Sequence, residues 1–166
     1  MTGVQTCALP ILIETGTFGA NRHRLATFGE AAGVARLNRR AAQVAREARD
    51  VAGRDVLVAG SIGPLGAPTR ELLTLDEQVV RALFREQVEG LLEGGVDAFV
   101  LETFVDLRQL LLAIDEVRQA TRELPVIAEL TFGEDLVLAD GTTPDRAATA
   151  LLASDADVVG VNCGVG

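Results

Sequence analysis

The sequence predicts a parallel α/β fold, about five strands of a partial (β/α)8 barrel of the TIM type, and three observations carry that expectation. Short apolar, β-branched runs alternate with longer amphipathic segments along the whole chain. The runs are apolar almost without interruption, as strands covered on both faces are. Polar residues suited to chemistry recur at the C-terminal ends of several runs, where a parallel barrel carries its site. Strand–helix–strand repetition also implies a single parallel sheet with right-handed crossovers.

An open doubly wound sheet is the competing architecture, and it would need a glycine-rich phosphate turn. Thr15-Gly16-Thr17-Phe18-Gly19 lacks the GxGxxG spacing, and Gly60-Ser61-Ile62-Gly63-Pro64 sets proline where a helix N-terminus would donate.

The elements follow in order. Leu12-Ile13-Glu14-Thr15 reads as the end of a strand. The Ala- and Arg-rich stretch from Val34 to Ala52 is an amphipathic helix with Gly53 as its stop. Asp55 to Ser61 is the second strand. A helix follows in which Val79, Val80, Leu83, Phe84, Val88, Leu91 and Leu92 share one stripe, broken only by Gln87. Thr74-Leu75-Asp76-Glu77 supplies a capping box at its start and Gly94-Gly95 its end. Ala98 to Thr103 is the third strand, and Asp106 caps a helix whose apolar face is Leu107, Leu110, Leu111, Ile114 and Val117. Pro125 to Thr131 is the fourth strand. Thr143-Pro144 opens a last helix with a capping hydroxyl and a proline at the first helical position, before a final strand at Val158 to Asn162.

Residues 1–11 stand apart. They carry no charged side chain and no periodicity, with Pro10 just where a strand should begin, and they resemble the translation of a short-read sequencing adapter. The expectation is a non-native segment at 1–11 and an incomplete barrel domain at 12–166, truncated at both ends. Setting the segment aside removes Cys7 and leaves Cys163 as one thiol, which cannot form an internal disulfide. A reducing cytoplasm is the matching compartment. The formal net charge of −9 argues against nucleic acid or an anionic membrane surface as partner. No apolar run approaches the length of a membrane span.

Cys163 ends the last strand, where a thiol is a small core residue, a nucleophile or a metal ligand. Glu102 follows Phe99-Val100-Leu101 at the mouth of a buried strand, where an unpaired charge is expensive. Glu14 and Glu129 hold similar positions, and for them structural and functional roles weigh evenly. Asp140, in Ala139-Asp140-Gly141-Thr142, reads as a turn residue, His23 as a solvated histidine beside a helix start, and Gly63-Pro64 with Gly66 as a loop on the active face.

These motifs together resemble the homocysteine S-methyltransferase family. Glu14-Thr15-Gly16-Thr17-Phe18-Gly19-Ala20-Asn21-Arg22 is similar to its second-strand motif, Gly60 to Pro64 to its third-strand loop, and Leu101-Glu102-Thr103-Phe104 to its fourth strand. Leu130-Thr131-Phe132, Asp140 to Pro144 and Gly160-Val161-Asn162-Cys163 continue in the same order and spacing, so the resemblance covers 12–166. Gly16 departs from it, since relatives often carry asparagine there.

The resemblance implies a zinc-containing barrel that methylates homocysteine to methionine. It implies that Cys163 is one of three cysteine ligands, the other two being an adjacent pair that this sequence lacks. It further implies that Glu102 contacts the homocysteine amino group, that Thr17 and Phe18 line the substrate site, and that Asn162 shapes the strand mouth beside the metal. The methyl donor would be folate- or cobalamin-derived, betaine or a sulfonium. Reductase, cobalamin or folate domains would accompany the barrel in the parent protein, and the 166-residue chain alone would be inactive.

The residue types suit that chemistry. A free thiol has a pKa near 8.5 and is mostly protonated at neutral pH. Coordination to Zn²⁺ deprotonates it, and a catalytic zinc keeps three protein ligands and one open position. A carboxylate on the substrate ammonium would orient the sulfur for displacement at a methyl group. Two other readings of Cys163 stay open beside this one: a nucleophile in a metal-free barrel enzyme, and a core cysteine in a non-catalytic barrel.

Overall fold

The structure, a computed structural model, describes residues 11–164. The expectation for the first eleven residues therefore lies, apart from Ile11, outside the described residues, as does Cys7. The elements are β1 (Leu12–Glu14), α1 (Arg22–Ala26), a 3-10 turn at Ala31–Gly33, α2 (Val34–Ala52), β2 (Leu57–Ile62), α3 (Arg70–Leu73), α4 (Glu77–Gly94), β3 (Ala98–Phe104), α5 (Leu107–Ala120), β4 (Val126–Leu130), α6 (Pro144–Leu152) and β5 (Val158–Val161). The five strands form one sheet in sequence order, every neighbouring pair parallel. A doubly wound sheet reverses its strand order at a switch point. This sheet does not, so it is an arc of a barrel wall, as the sequence predicts.

Helix ends follow their local chemistry. Gly53 and Gly95 close α2 and α4 in the left-handed region, at φ 60° and 84°, a conformation that costs glycine little. Asp106 caps α5 by accepting from the Gln109 N–H. Two expected caps differ. At α4 the capping side chain is Asp76, which accepts from the Gln78 N–H, because Thr74 instead closes the short α3 by donating to the Arg70 carbonyl. At α6 Thr143 is the N-cap residue and Pro144 opens the helix, but the Thr143 hydroxyl makes no capping bond.

The main core lies between the sheet and α2, α4 and α5. Val58 and Ile62 of β2, Phe99, Leu101 and Phe104 of β3, and Val126, Ala128 and Leu130 of β4 meet Phe84, Val88 and Leu91 of α4 and Leu110, Ile114 and Val117 of α5. Phe84 and Phe104 pack with ring centroids 5.9 Å apart. Each fully buried phenylalanine contributes about 1.5–3 kcal/mol by leaving water. Helices α2 and α4 touch almost backbone to backbone. A Cβ on Gly94 would lie 2.5 Å from the Ala42 Cβ, and one on Gly90 would lie 2.8 Å from the Ala35 carbonyl oxygen.

One device recurs at the base of the sheet. Asp97, just before β3, accepts from the Val58 N–H at 2.8 Å and pairs with Arg49. Asp157, just before β5, accepts from the Val126 N–H at 2.7 Å and pairs with Arg118. Each aspartate thus starts the ladder of the preceding strand and anchors an arginine of a covering helix, which fixes the unit's register.

Between Leu101 and Phe104 the β3–β4 register shifts: Leu101 pairs with Ala128 and Phe104 with Leu130. Two residues, Glu102 and Thr103, therefore oppose the single Glu129. Glu102 faces the concave side by simple alternation with Val100, and the extra residue after it lets Phe104, like Leu101, face the helices.

Candidate functional site at the strand mouth

The concave face is layered. Ala59, Ala98 and Val100, with Leu12 and Ile127, form a small apolar layer. Side chains two residues further along a strand share its face, so the next layer up is Glu14, Ser61, Glu102 and Glu129. Three carboxylates and a hydroxyl thus occupy the C-terminal end of the sheet. Ser61 Oγ donates to Glu102 Oε1 at 2.5 Å. Burial, and then the charge and hydrogen bond of neighbouring Glu102 and the charge of Glu129, push Glu14 above the ordinary glutamate range. Burial followed by the Glu102 charge does the same to Glu129. A cation among these groups would relieve the repulsion.

The loop after β1 is tied down on every side. Thr17 Oγ1 donates to the Ser61 carbonyl at 2.7 Å, and the Ser61 N–H donates to Thr15 Oγ1 at 3.0 Å. Gln87 reaches across from α4 to the Thr17 carbonyl, and Asn38 from α2 to the Ala20 carbonyl. Asn21, in the same motif, caps α1 through the Arg24 N–H. Thr17 is only 1% exposed, with its hydroxyl committed to the main chain. Phe18 is half-buried. Its ring lies against Gly63, where a Cβ would come within 2.3 Å, and the Arg24 guanidinium stands 5.3 Å from the ring centre.

At the far side, Asn162 follows β5 and bonds to Thr103 and Thr131, next to Glu102 and Leu130. Cys163 is exposed and in no disulfide. It lines a cleft of about 380 Å³ with Phe132, Gly133, Leu136, Pro144, Val161, Asn162 and Gly164. The sheet therefore gathers Glu102, Glu14 and Glu129 on its concave face and ties Asn162, with Cys163 beside it, to the end of the same strand as Glu102.

Other expected residues separate from this group. Asp140 shapes its turn, accepting from the Thr142 N–H at 2.8 Å, and Gly63 and Pro64 are buried beneath the loop. His23 is exposed on α1 beside Gly66. Sequence reasoning missed Thr103, Gln87 and Asn38 as supports. A polar residue inside an apolar helical stripe was the available signal for Gln87.

Among the described residues no three histidine, cysteine, aspartate or glutamate side chains come together as a metal site. Cys163 suits one sulfur ligand; the described donor set is incomplete for zinc. No helix among the described residues is long and apolar enough to cross a membrane.

The family model for homocysteine S-methyltransferase matches residues 8–165. Methionine synthase of Mycobacterium tuberculosis is 33% identical over 161 residues, covering 93% of this chain and 13% of that protein. Betaine–homocysteine S-methyltransferase 1 of Sus scrofa is 29% identical, covering 92% of this chain and 53% of that protein. The homocysteine methyltransferase MmuM from Escherichia coli superposes in its metallated form with a TM-score of 0.78 at 24% identity, over 92% of this chain and 58% of that one. Its oxidised form gives a TM-score of 0.77 at 27% identity, over 92% and 57%. The chain thus spans between about an eighth and three-fifths of the relatives it matches.

Proposed function

The chain belongs to the homocysteine S-methyltransferase family, and from that membership we propose that it is part of a barrel enzyme that transfers a methyl group to the thiol of homocysteine, giving methionine. The observation that carries the reading is the joining of Glu102 and the Asn162–Cys163 turn at one strand mouth. Homocysteine carries an ammonium group and a thiol separated by a short aliphatic chain. Glu102, held by Ser61 and flanked by Glu14 and Glu129 on the same face, is a carboxylate seat for the ammonium. Cys163 stands on the side where the sulfur would lie. Phe18 and the buried Thr17 form the rim, Thr17 acting through the main chain it holds.

Zinc, when bound, would keep thiols deprotonated. Cys163 would be one of its ligands, with the remaining thiolates supplied by residues outside this chain, so the domain at 12–166 is incomplete and the 166-residue chain inactive. The segment at 1–11 is foreign to the enzyme in this reading, although the family match extends into it from residue 8. The donor is a methyl group on a folate or cobalamin derivative, handled by accompanying domains in a cytoplasmic protein.

Calorimetric titration of the complete zinc-loaded enzyme with homocysteine tests the reading. Binding in the wild type that weakens about 100-fold in Glu102→Gln is expected, since losing one member of a buried, charge-assisted pair costs about 2–3 kcal/mol. Wild-type enzyme that ignores homocysteine, or a Glu102→Gln variant that binds it unchanged, rejects the assignment.

A further inference from the structure

Strands β3 and β5 are not neighbours; β4 lies between them. Next-nearest strands stand about 9.5 Å apart and share no ladder bonds. The Asn162 side chain nevertheless bridges them. Its Oδ1 accepts from the Thr103 main-chain N–H at 3.0 Å, and its Nδ2 donates to Thr103 Oγ1 at 3.0 Å. The main-chain carbonyl of Asn162 accepts from Thr131 Oγ1 at 2.9 Å, so the C-terminal ends of β3, β4 and β5 are tied at one residue.

Both residues flanking this tie are backbone outliers. Thr103 has φ 61° and Cys163 φ 49°. A β-branched residue rarely enters the left-handed region, and such conformations persist only where their surroundings enforce them. Thr103 is the extra residue of the bulge and directly follows Glu102, and the carboxamide of Asn162 grips both its N–H and its hydroxyl. Cys163 is the next residue after Asn162. We propose that Asn162 is a positioning residue: it sets the separation between the ammonium seat at Glu102 and the sulfur end of the site at Cys163, and so selects for the length of the substrate's carbon chain. The inference rests on the functional reading above.

Cysteine, one methylene shorter than homocysteine, is the probe that reads this separation. Titrated with both thiols, the complete zinc-loaded enzyme is expected to prefer homocysteine. Asn162→Ala is expected to weaken homocysteine binding at least 10-fold and to bring the preference close to unity, whereas Thr103→Ser, which keeps both bonds to Asn162, retains it. A purely structural role would weaken both thiols in proportion and leave the preference unchanged, which overturns the proposal. Should Asn162→Ala fail to fold, Thr103→Val removes one of the two bonds and is expected to lose part of the preference; an unchanged preference there is equally fatal. Amide exchange on the 166-residue chain gives a second readout without metal or substrate. The Thr103 N–H should exchange at least 10-fold faster in Asn162→Ala and at the wild-type rate in Thr103→Ser; equal rates in all three contradict the tie. A wild type that binds homocysteine without preferring it to cysteine also overturns the proposal, whereas one that ignores homocysteine fails the functional reading instead, so the two failures are told apart in the unmutated protein.

Discussion

Gln87 donates from its buried carboxamide to the Thr17 carbonyl at 2.7 Å, tying a helix on the outer face of the sheet to a loop at its mouth. That bond explains the one polar residue in the apolar stripe of α4. The Thr17 carbonyl also accepts from the Ala20 N–H at 2.9 Å, and Gln87 Oε1 has no partner among the described residues.

Those two facts decide what Gln87→Leu does. The lost bond is worth about 1 kcal/mol net, and Thr17 keeps one partner. Removing a buried, unpartnered oxygen offsets much of that cost. Gln87→Leu is therefore expected to change stability by less than about 1 kcal/mol while releasing the loop. Urea denaturation should show a nearly unchanged midpoint, and the Gly63 N–H, bonded to the Phe18 carbonyl, should exchange faster. A large loss of stability would contradict this balance.

The carboxylate layer predicts a pH dependence with a definite sign. Glu14 and Glu129 are raised in the folded state above the ordinary glutamate value of 4.5. The folded chain thus holds protons that the unfolded chain has released, and their contribution to stability is fully present below that value. It is lost as pH rises through the raised folded values. Glu14→Gln and Glu129→Gln should each stabilise the chain at neutral pH, by less than about 1 kcal/mol given solvent screening. The advantage should vanish near pH 4. Denaturation midpoints of wild type and variants across pH 4–8 check this, and a gain that grows on acidification would refute it.

Arg81 and Glu116 join α4 to α5 asymmetrically. The Glu116 side chain is 0% exposed and bonds to Arg81 at 3.2 Å and Arg85 at 2.8 Å. Burial pulls the Arg81 guanidinium down, but the hydrogen bonds it donates to Asp115, Glu77 and Glu116 outweigh that and hold the group above its usual range. Arg81→Met leaves a buried carboxylate with only the half-exposed Arg85 as an arginine partner, and is expected to cost about 2–3 kcal/mol. Glu116→Leu leaves Arg81 paired with Glu77 and Asp115 and should cost less than about 1 kcal/mol. Equal losses in thermal denaturation would show that the pair, rather than the stranded charge, sets the energy.

The legible parts of this molecule are those encoded locally. Apolar runs place all five strands within about two residues, and Gly53 and Gly95 end their helices because left-handed φ is a glycine property. Glu102 and Cys163 stand out because a charge and a thiol end apolar strands. The cap of α4 was misplaced because α3 is four residues long, too short to show periodicity, and takes Thr74 for its own end. Leu101-Glu102-Thr103-Phe104 reads equally well as a regular strand; only the register against β4 reveals the bulge. Asn162 gains its role by spanning three strands, which no window of sequence contains.

Gly63 and Phe18 give the last prediction. A Cβ on Gly63 would lie 2.3, 2.5 and 2.7 Å from three atoms along one edge of the Phe18 ring, so the ring must move as a whole. The Gly63 N–H donates to the Phe18 carbonyl at 2.9 Å, which holds the two backbones together and prevents the loop from backing away. Gly63→Ala is therefore expected to destabilise by about 1–3 kcal/mol, the usual cost of overpacking a close contact. If the ring is the cause, Phe18→Ala removes the obstacle. In that background Gly63→Ala should cost almost nothing, a coupling of about 1–2 kcal/mol in a double-mutant cycle. Strictly additive losses would place the strain in the backbone of the β2 turn, and Phe18 would then be a bystander at the rim.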